Sequence, residues 1–191
     1  MDTPDRDLDE HLETILVGGL EARTVEIVDS DPAWARRYQR EKARLVHALD
    51  GVFVRIEHIG STAVPGLAAK PVVDILVTVA DVEDEVGYRT MIEQLGYELR
   101  VKEPDHRAFR TRERDVNLHV YKDNDPEVDR YLLFRDRLRE HPQERALYER
   151  VKRDLAQREW PDINYYADAK SEVVEGIIER ARRARDRGAQ G

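Results

Sequence analysis

Two stretches of the chain carry an apolar pattern strong enough to anchor the rest. Residues 52–59 are rich in β-branched side chains, and residues 72–79 are almost wholly apolar except for Asp74 and Thr78. A near-continuous apolar run of that length suits a strand buried on both faces. The segment between them, from Gly60 to Pro71, is polar and broken by Gly and Pro, as a loop is. Residues 97–101, 108–111 and 116–121 repeat the strand pattern. The loop 102–107 joins the first two of these, and 112–115 forms the turn to the third. Residues 25–28 are expected as one more short strand.

Helical spacing takes over elsewhere. Leu8, Leu12, Ile15 and Leu16 fall on one face, and Gly18-Gly19 would stop that helix. It packs on the domain or on a second copy, which leaves a homodimer open. Ser30-Asp31-Pro32 supplies a cap and a first-turn proline. The helix that follows carries Trp34, Tyr38, Leu45 and Leu49 on its core face and ends at Asp50-Gly51. Residues 84–95 read as a helix with Val86, Met91, Ile92 and Leu95 inward and Gly96 as its end. Asp125-Pro126 opens another helix that runs to about Glu140. After the break at His141-Pro142 come a helix over 143–158, a loop over 160–164 and a last helix over 165–185. The pattern is an α+β fold, a mixed β-sheet flanked by helices with a helical C-terminal half.

Composition bounds this picture. The chain has 191 residues, 40% hydrophobic and 38% charged, enough for one domain with a compact core. The expected division is an N-terminal helical extension over 1–23, one domain over 24–186 and a disordered tail over 187–191. A net charge of −8 argues against unspecific binding to nucleic acid or to an anionic membrane. There is no cysteine, so disulfides and thiolate metal sites are excluded. The acidic N-terminus shows no signal segment and nothing approaches a membrane-spanning length, so the expected location is cytoplasmic.

The candidate chemistry clusters around the central loop. A lone carboxylate inside an apolar strand is costly unless something pairs with it, which singles out Asp74. Gly60, Ser61 and Thr62 offer backbone N–H groups with little bulk and two hydroxyls, as an anion-binding nest needs. Lys70, just before the second strand, could neutralise a phosphate. His58 and His119 lie on flanking strands, and each reads either as a hydrogen-bonded core residue or as a functional imidazole. Arg107 and Arg110 flank Phe109 and reach an anion or face water. Asp74 itself is a metal or substrate ligand, or a structural group that caps the loop or pairs with Lys70 or Arg107.

The run from Glu57 through His58-Ile59-Gly60-Ser61-Thr62-Ala63-Val64-Pro65-Gly66-Leu67-Ala68-Ala69-Lys70-Pro71 to Asp74-Ile75 resembles the signature of GrpB proteins (UPF0157), of the nucleotidyltransferase-like superfamily. The likeness continues in Asn117-Leu118-His119-Val120, in Leu133-Phe134-Arg135-Asp136-Arg137-Leu138-Arg139, and in Tyr166-Ala167-Asp168-Ala169-Lys170-Ser171. It spans about residues 25–184. A similar domain follows dephospho-CoA kinase in some bacteria, and no kinase-type P-loop occurs here.

The resemblance implies a nucleotidyltransferase-like fold and a pocket for a nucleotide or phosphorylated small molecule. Gly60, Ser61, Thr62, Lys70, Arg107, Tyr166 and Lys170 would bind it. Asp74, His119 and His58 would be catalytic, with Asp74 and His119 holding Mg²⁺ or Mn²⁺. Tyr166 and Lys170, four apart, would share a helix face that closes over the pocket. Active members of the superfamily carry a second carboxylate two residues beyond the first, on the same strand face. That position is Leu76 here. The departure favours a non-catalytic nucleotide- or metabolite-binding module over metal-dependent nucleotidyl transfer. The basic end of the last helix, Arg180 to Arg187, reads as a solvated terminus that complements the helix dipole.

Overall fold

A computed structural model describes residues 6–21 and 24–188. In chain order the elements are α1 (Arg6–Ile15), α2 (Ala33–Ala48), β1 (Phe53–Ile59), β2 (Val73–Val79), α3 (Arg89–Gln94), β3 (Tyr97–Glu103), β4 (His106–Thr111), β5 (Val116–Lys122), α4 (Pro126–Glu140), α5 (Pro142–Leu155), α6 (Ile163–Asp168) and α7 (Ser171–Gly188). The strands form one sheet in the order β1-β2-β5-β4-β3. Only β2 and β5 run parallel; the other neighbours are antiparallel. The expected α+β architecture, a mixed sheet followed by a helical C-terminal half, is the one observed.

The two faces of the sheet have different tasks. On one, Ile75 and Val77 of β2 and Val116, Leu118 and Val120 of β5 meet Trp34, Tyr38, Leu45 and Leu49 across α2 and form the main core. This face also carries Arg107, because it pairs with Val120 across β4 and β5. On the other face, Ile59, Leu76 and Tyr121 pack under Val128 of α4. Asp74 and its parallel neighbour Asn117 project there too, since residues two apart on a strand share a face. Beyond α4 this face opens toward α5, α6 and α7.

Several elements follow directly from local chemistry. The Asp125 carboxylate accepts from the Glu127 N–H at 2.8 Å, and Pro126 sits where the missing N–H costs nothing. The α1 helix, ended by Gly18 and Gly19 in the left-handed region, buries Leu12. Beyond it the Val17 N–H donates to Arg100 O at 2.9 Å, and the helix packs on β3 of its own domain.

Other expectations do not hold. Residues 25–28 make no strand; Val28 forms a single bridge with Ala69. The helix expected over 84–95 is split into a 3-10 turn, Glu85–Gly87, and α3. Tyr88 takes the buried position, donating its hydroxyl to Val82 O at 2.6 Å, while Val86 is 90% exposed. The 102–107 loop shrinks to a tight turn at Pro104-Asp105, because β3 and β4 extend to pair Glu103 with His106. The last helix is broken at Ala169-Lys170 into α6 and α7. Residues 187 and 188 of the expected tail continue α7, and 189–191 lie outside the described residues. Among the described residues no helix is long and apolar enough to cross a membrane.

Candidate functional site

The loop after β1 turns sharply at Gly60, whose φ of 69° is the left-handed region. A Cβ there would collide with the Asp74 carboxylate, whose Cγ lies 3.1 Å from the position it would take. Glycine is thus required twice, by the backbone and by Asp74. The next residue, Ser61, starts a single 3-10 turn and faces a cleft of about 260 Å³. Lys70, Asp74, Asn117, Lys152, Tyr166 and Lys170 also line the cleft.

Asp74 is held in place rather than left alone on its strand. Asn117 Nδ2 donates to Asp74 Oδ1 at 2.9 Å, and His119 Nε2 stands 4.0 Å from the same oxygen. Burial works to raise the Asp74 pKa, but His119, Asn117 and the charge of Lys70 outweigh it and hold the carboxyl below its usual range. Asp74 is therefore ionised at neutral pH.

Opposite the Asp74 carboxylate the cleft gathers cations. Lys152 is a residue that sequence patterning missed. Its α5 helix is amphipathic, and among Arg150, Arg153 and Asp154 a lysine reads as surface. Yet Lys152 follows Tyr148 by four residues and precedes Leu155 by three, which puts it on the buried stripe. Its residue is only 2% exposed. Its ammonium donates to Ser61 Oγ at 3.2 Å and to Ala68 O, and lies 4.8 Å from the Tyr148 ring centroid. Burial, with the charge of Lys170, lowers the Lys152 pKa to about 7. Glu149 opposes that shift only weakly; its own carboxylate accepts from Ala68 N–H and from Arg153.

Lys170 sits at the break between α6 and α7, its ammonium 4.3 Å from the Tyr166 ring centroid. Tyr166 and Lys170 do come together as expected, but by a cation–π contact across a helix break rather than along one helix face. Burial and the neighbouring Lys70 lower the Lys170 pKa to about 8 against the attraction of Asp74. Tyr166 is 3% exposed, and among the described residues its hydroxyl has no hydrogen-bond partner. Burial raises its pKa, so the phenol keeps its proton and remains a donor.

Three of the expected site residues lie elsewhere. His58 pairs in register with Ile75, so it projects toward α2, on the opposite sheet face from Asp74. It stacks on Tyr38 with centroids 4.6 Å apart, and burial lowers its pKa to about 4. Its Nε2 meets Thr62 Oγ1 at 3.1 Å, and that hydroxyl donates to Val72 O at 3.2 Å. The Thr62 hydroxyl is thereby committed to holding the loop and is not aimed at a phosphate. Arg107 is 1% exposed and bonds Glu85 and Glu83, each at 2.7 Å. Its guanidinium serves the opposite side of the sheet. Arg110 does lie on the cleft side of β4, bound to Glu21 at 2.6 Å.

The donor set falls short of a resident divalent cation. Asp74 and His119 converge, but among the described residues no group of three His, Asp or Glu side chains could hold a metal. Leu76, where a second carboxylate would stand, is fully buried under α4. Mg²⁺ and Mn²⁺ favour several oxygen ligands, and here lysines surround the one carboxylate.

A family model described as GrpB protein matches residues 24–180. A UPF0157 protein of Streptomyces coelicolor is 52% identical over 170 residues, covering 89% of this chain and 91% of that one. A dephospho-CoA kinase of Mycolicibacterium paratuberculosis is 32% identical over 189 aligned residues, covering 82% of this chain and 46% of that one. The crystal structure of conserved protein GrpB from Enterococcus faecalis matches the fold with a TM-score of 0.73 at 33% identity, covering 82% of this chain and 96% of that one.

Proposed function

The chain belongs to the GrpB family, and on that premise we propose that its cleft binds the phosphate groups of a nucleotide or another phosphorylated small molecule. One observation carries this reading: among the described residues, Lys70, Lys152 and Lys170 converge on a cleft that also holds Ser61 and the unpartnered hydroxyl of Tyr166, against the single lining carboxylate of Asp74. Crowding buried ammonium groups is costly, and the depressed pKa values of Lys152 and Lys170 record that cost. A polyanion reverses it, since charge-assisted hydrogen bonds to phosphate are strongest when both partners leave water. Lys152, Lys170 and Lys70 would take the phosphate oxygens, with Ser61 and Tyr166 donating hydroxyls.

Leu76 favours binding over two-metal nucleotidyl transfer. It lies on the same strand face as Asp74, where a second carboxylate would complete a metal clamp, and it is apolar and buried. A thermal-shift screen tests the reading, because a ligand that binds only the folded state raises its Tm by mass action. Nucleotides and pyrophosphate should raise Tm and the corresponding nucleosides should not. Equal shifts from nucleosides and nucleotides would remove the phosphate from the account.

A further inference from the structure

The cleft ends on a line of polar groups that phosphate binding does not use. From β3, Glu103 reaches His106 on β4, with Oε2 and Nδ1 2.7 Å apart. His106 Nε2 is in turn 3.3 Å from His119 Nδ1 on β5. His119 presents its other nitrogen, Nε2, to the cleft beside Asp74. The sheet register builds this line. Glu103 pairs with His106, and His106, Ala108 and Arg110 alternate onto the same face as Asn117, His119 and Tyr121. Stacking fixes the rings: His106 lies parallel to Tyr121 at 4.4 Å and parallel to His119 at 5.5 Å between centroids.

Proton positions along the line follow from donor and acceptor rules. A carboxylate can only accept, so His106 Nδ1 carries a proton toward Glu103. Burial lowers the His106 pKa, which keeps that imidazole neutral, so its Nε2 is a lone pair. A lone pair facing His119 Nδ1 requires an N–H there. A neutral His119 then has no proton on Nε2, the nitrogen that faces the cleft, because the Asp74 carboxylate at 4.0 Å is beyond hydrogen-bond reach and His106 at 3.3 Å is within it. The other oxygen of Glu103, Oε1, lies 3.4 Å from His11 Nε2 on α1, so the line ends at an exposed histidine. Among the described residues the charged or titratable groups that act on it include Glu103, His11, Asp74, Arg107 and the phenols Tyr121 and Tyr131.

We infer that Glu103 and His106 are positioning residues that set the tautomer of His119, making its Nε2 the proton-accepting atom of the cleft. This rests on the phosphate reading above and deepens it, because it adds a second substrate class, a hydroxyl acceptor or water. In the step this arrangement serves, the acceptor hydroxyl gives its proton to His119 Nε2. Its oxygen forms a new bond to a phosphorus of the bound ligand. The phosphorus–oxygen bond to the leaving group breaks, and the leaving oxygen departs with the electron pair. The cleft lysines meet the negative charge it carries. Fixing the tautomer through a carboxylate is the physical role that such second partners play for working imidazoles.

Long-range proton–nitrogen NMR of histidine-labelled protein reads the tautomer directly, without any ligand, at a pH above the histidine range. The expected spectrum shows His119 protonated at Nδ1 and bare at Nε2. His106→Phe keeps an aromatic ring on Tyr121 but removes the acceptor, and should move His119 toward the Nε2-protonated form. Glu103→Gln keeps an accepting oxygen and should leave the wild-type pattern. A wild-type His119 protonated at Nε2 would overturn the inference whatever the variants do. The tautomer is read in ligand-free protein and phosphate binding is read by adding pyrophosphate, so failure of one reading is separable from failure of the other.

Discussion

Lys152 of α5 reaches across to Ser61, 3.2 Å from Nζ to Oγ, and ties the helical C-terminal half to the loop that leaves β1. The contact joins segments 91 residues apart. It places a buried ammonium group at the floor of the cleft, where an incoming phosphate would meet it.

This placement costs stability in a pH-dependent way. The folded-state pKa of Lys152 is about 7, below the ordinary 10.5, so between these values the unfolded chain holds more protons. Stability from this residue therefore rises as pH climbs from about 7 toward 10.5, and the penalty is fully present below 7. Lys152→Met should stabilise the ligand-free protein by about 1–2 kcal/mol at pH values below the folded pKa, discounted for the unpaired Ala68 carbonyl. The gain should shrink in alkaline solution. Urea melts of both proteins across pH measure it; a constant difference would mean that Lys152 is not buried as a cation.

Gly60 and Asp74 should be energetically coupled. Gly60→Ala adds a left-handed penalty and a collision with the carboxylate, and should destabilise by about 2–3 kcal/mol. In an Asp74→Gly background the collision disappears and only the backbone penalty, about 1 kcal/mol, remains. A double-mutant cycle with no coupling would show that the loop relaxes away from Asp74.

Asp74→Asn separates anion binding from metal binding. The amide keeps the size of the side chain and removes the Asp74 charge from among the lysines. Pyrophosphate should then bind more tightly, by on the order of 1 kcal/mol at an effective dielectric near 20. Weaker binding, with a loss that depends on added Mg²⁺, would instead make Asp74 a metal ligand.

Arg107→Leu should leave phosphate affinity unchanged and damage the fold. The substitution takes the guanidinium from Glu83 and Glu85, though Glu85 keeps Lys102 and Arg89, and breaking a buried ion pair from one side costs about 3–5 kcal/mol. Glu83 is exposed and recovers much of its hydration, so the lower end applies. Calorimetry on the folded fraction checks the first half, and denaturant melts check the second.

How far the sequence was legible follows from what each pattern encodes. The strands around Asp74 announced themselves because apolar runs and a Gly/Pro loop are local signals, and the same periodicity put Asp74 on the face of Leu76. The Asp125-Pro126 cap was equally local. Lys152 was hidden because its burial is set by the docking of α5 on the 60–70 loop, far away in sequence. His58 and Arg107 misled for a related reason. His58 adjoins the loop along the chain and Arg107 sits on a strand of the same sheet, but register sends both to the face opposite Asp74. The His119–His106–Glu103 line required two pairings, β3 with β4 and β4 with β5, that no single segment reveals.

Proton uptake on phosphate binding tests the central claim most directly. A polyanion favours the charged forms of Lys152 and Lys170, whose free pKa values are about 7 and about 8, so binding between those values draws protons from the buffer. Titrating pyrophosphate by calorimetry in two buffers of equal pH and different ionisation enthalpy measures that uptake. The ligand's own proton exchange is subtracted from the titration of free pyrophosphate over the same pH range, and the Lys152→Met/Lys170→Met double variant shows which protons come from the two lysines. The account predicts net uptake in the wild type, loss of uptake and of most affinity in the double variant, and weaker wild-type binding as pH rises past 8. Equal affinity and equal proton exchange in wild type and double variant would contradict it.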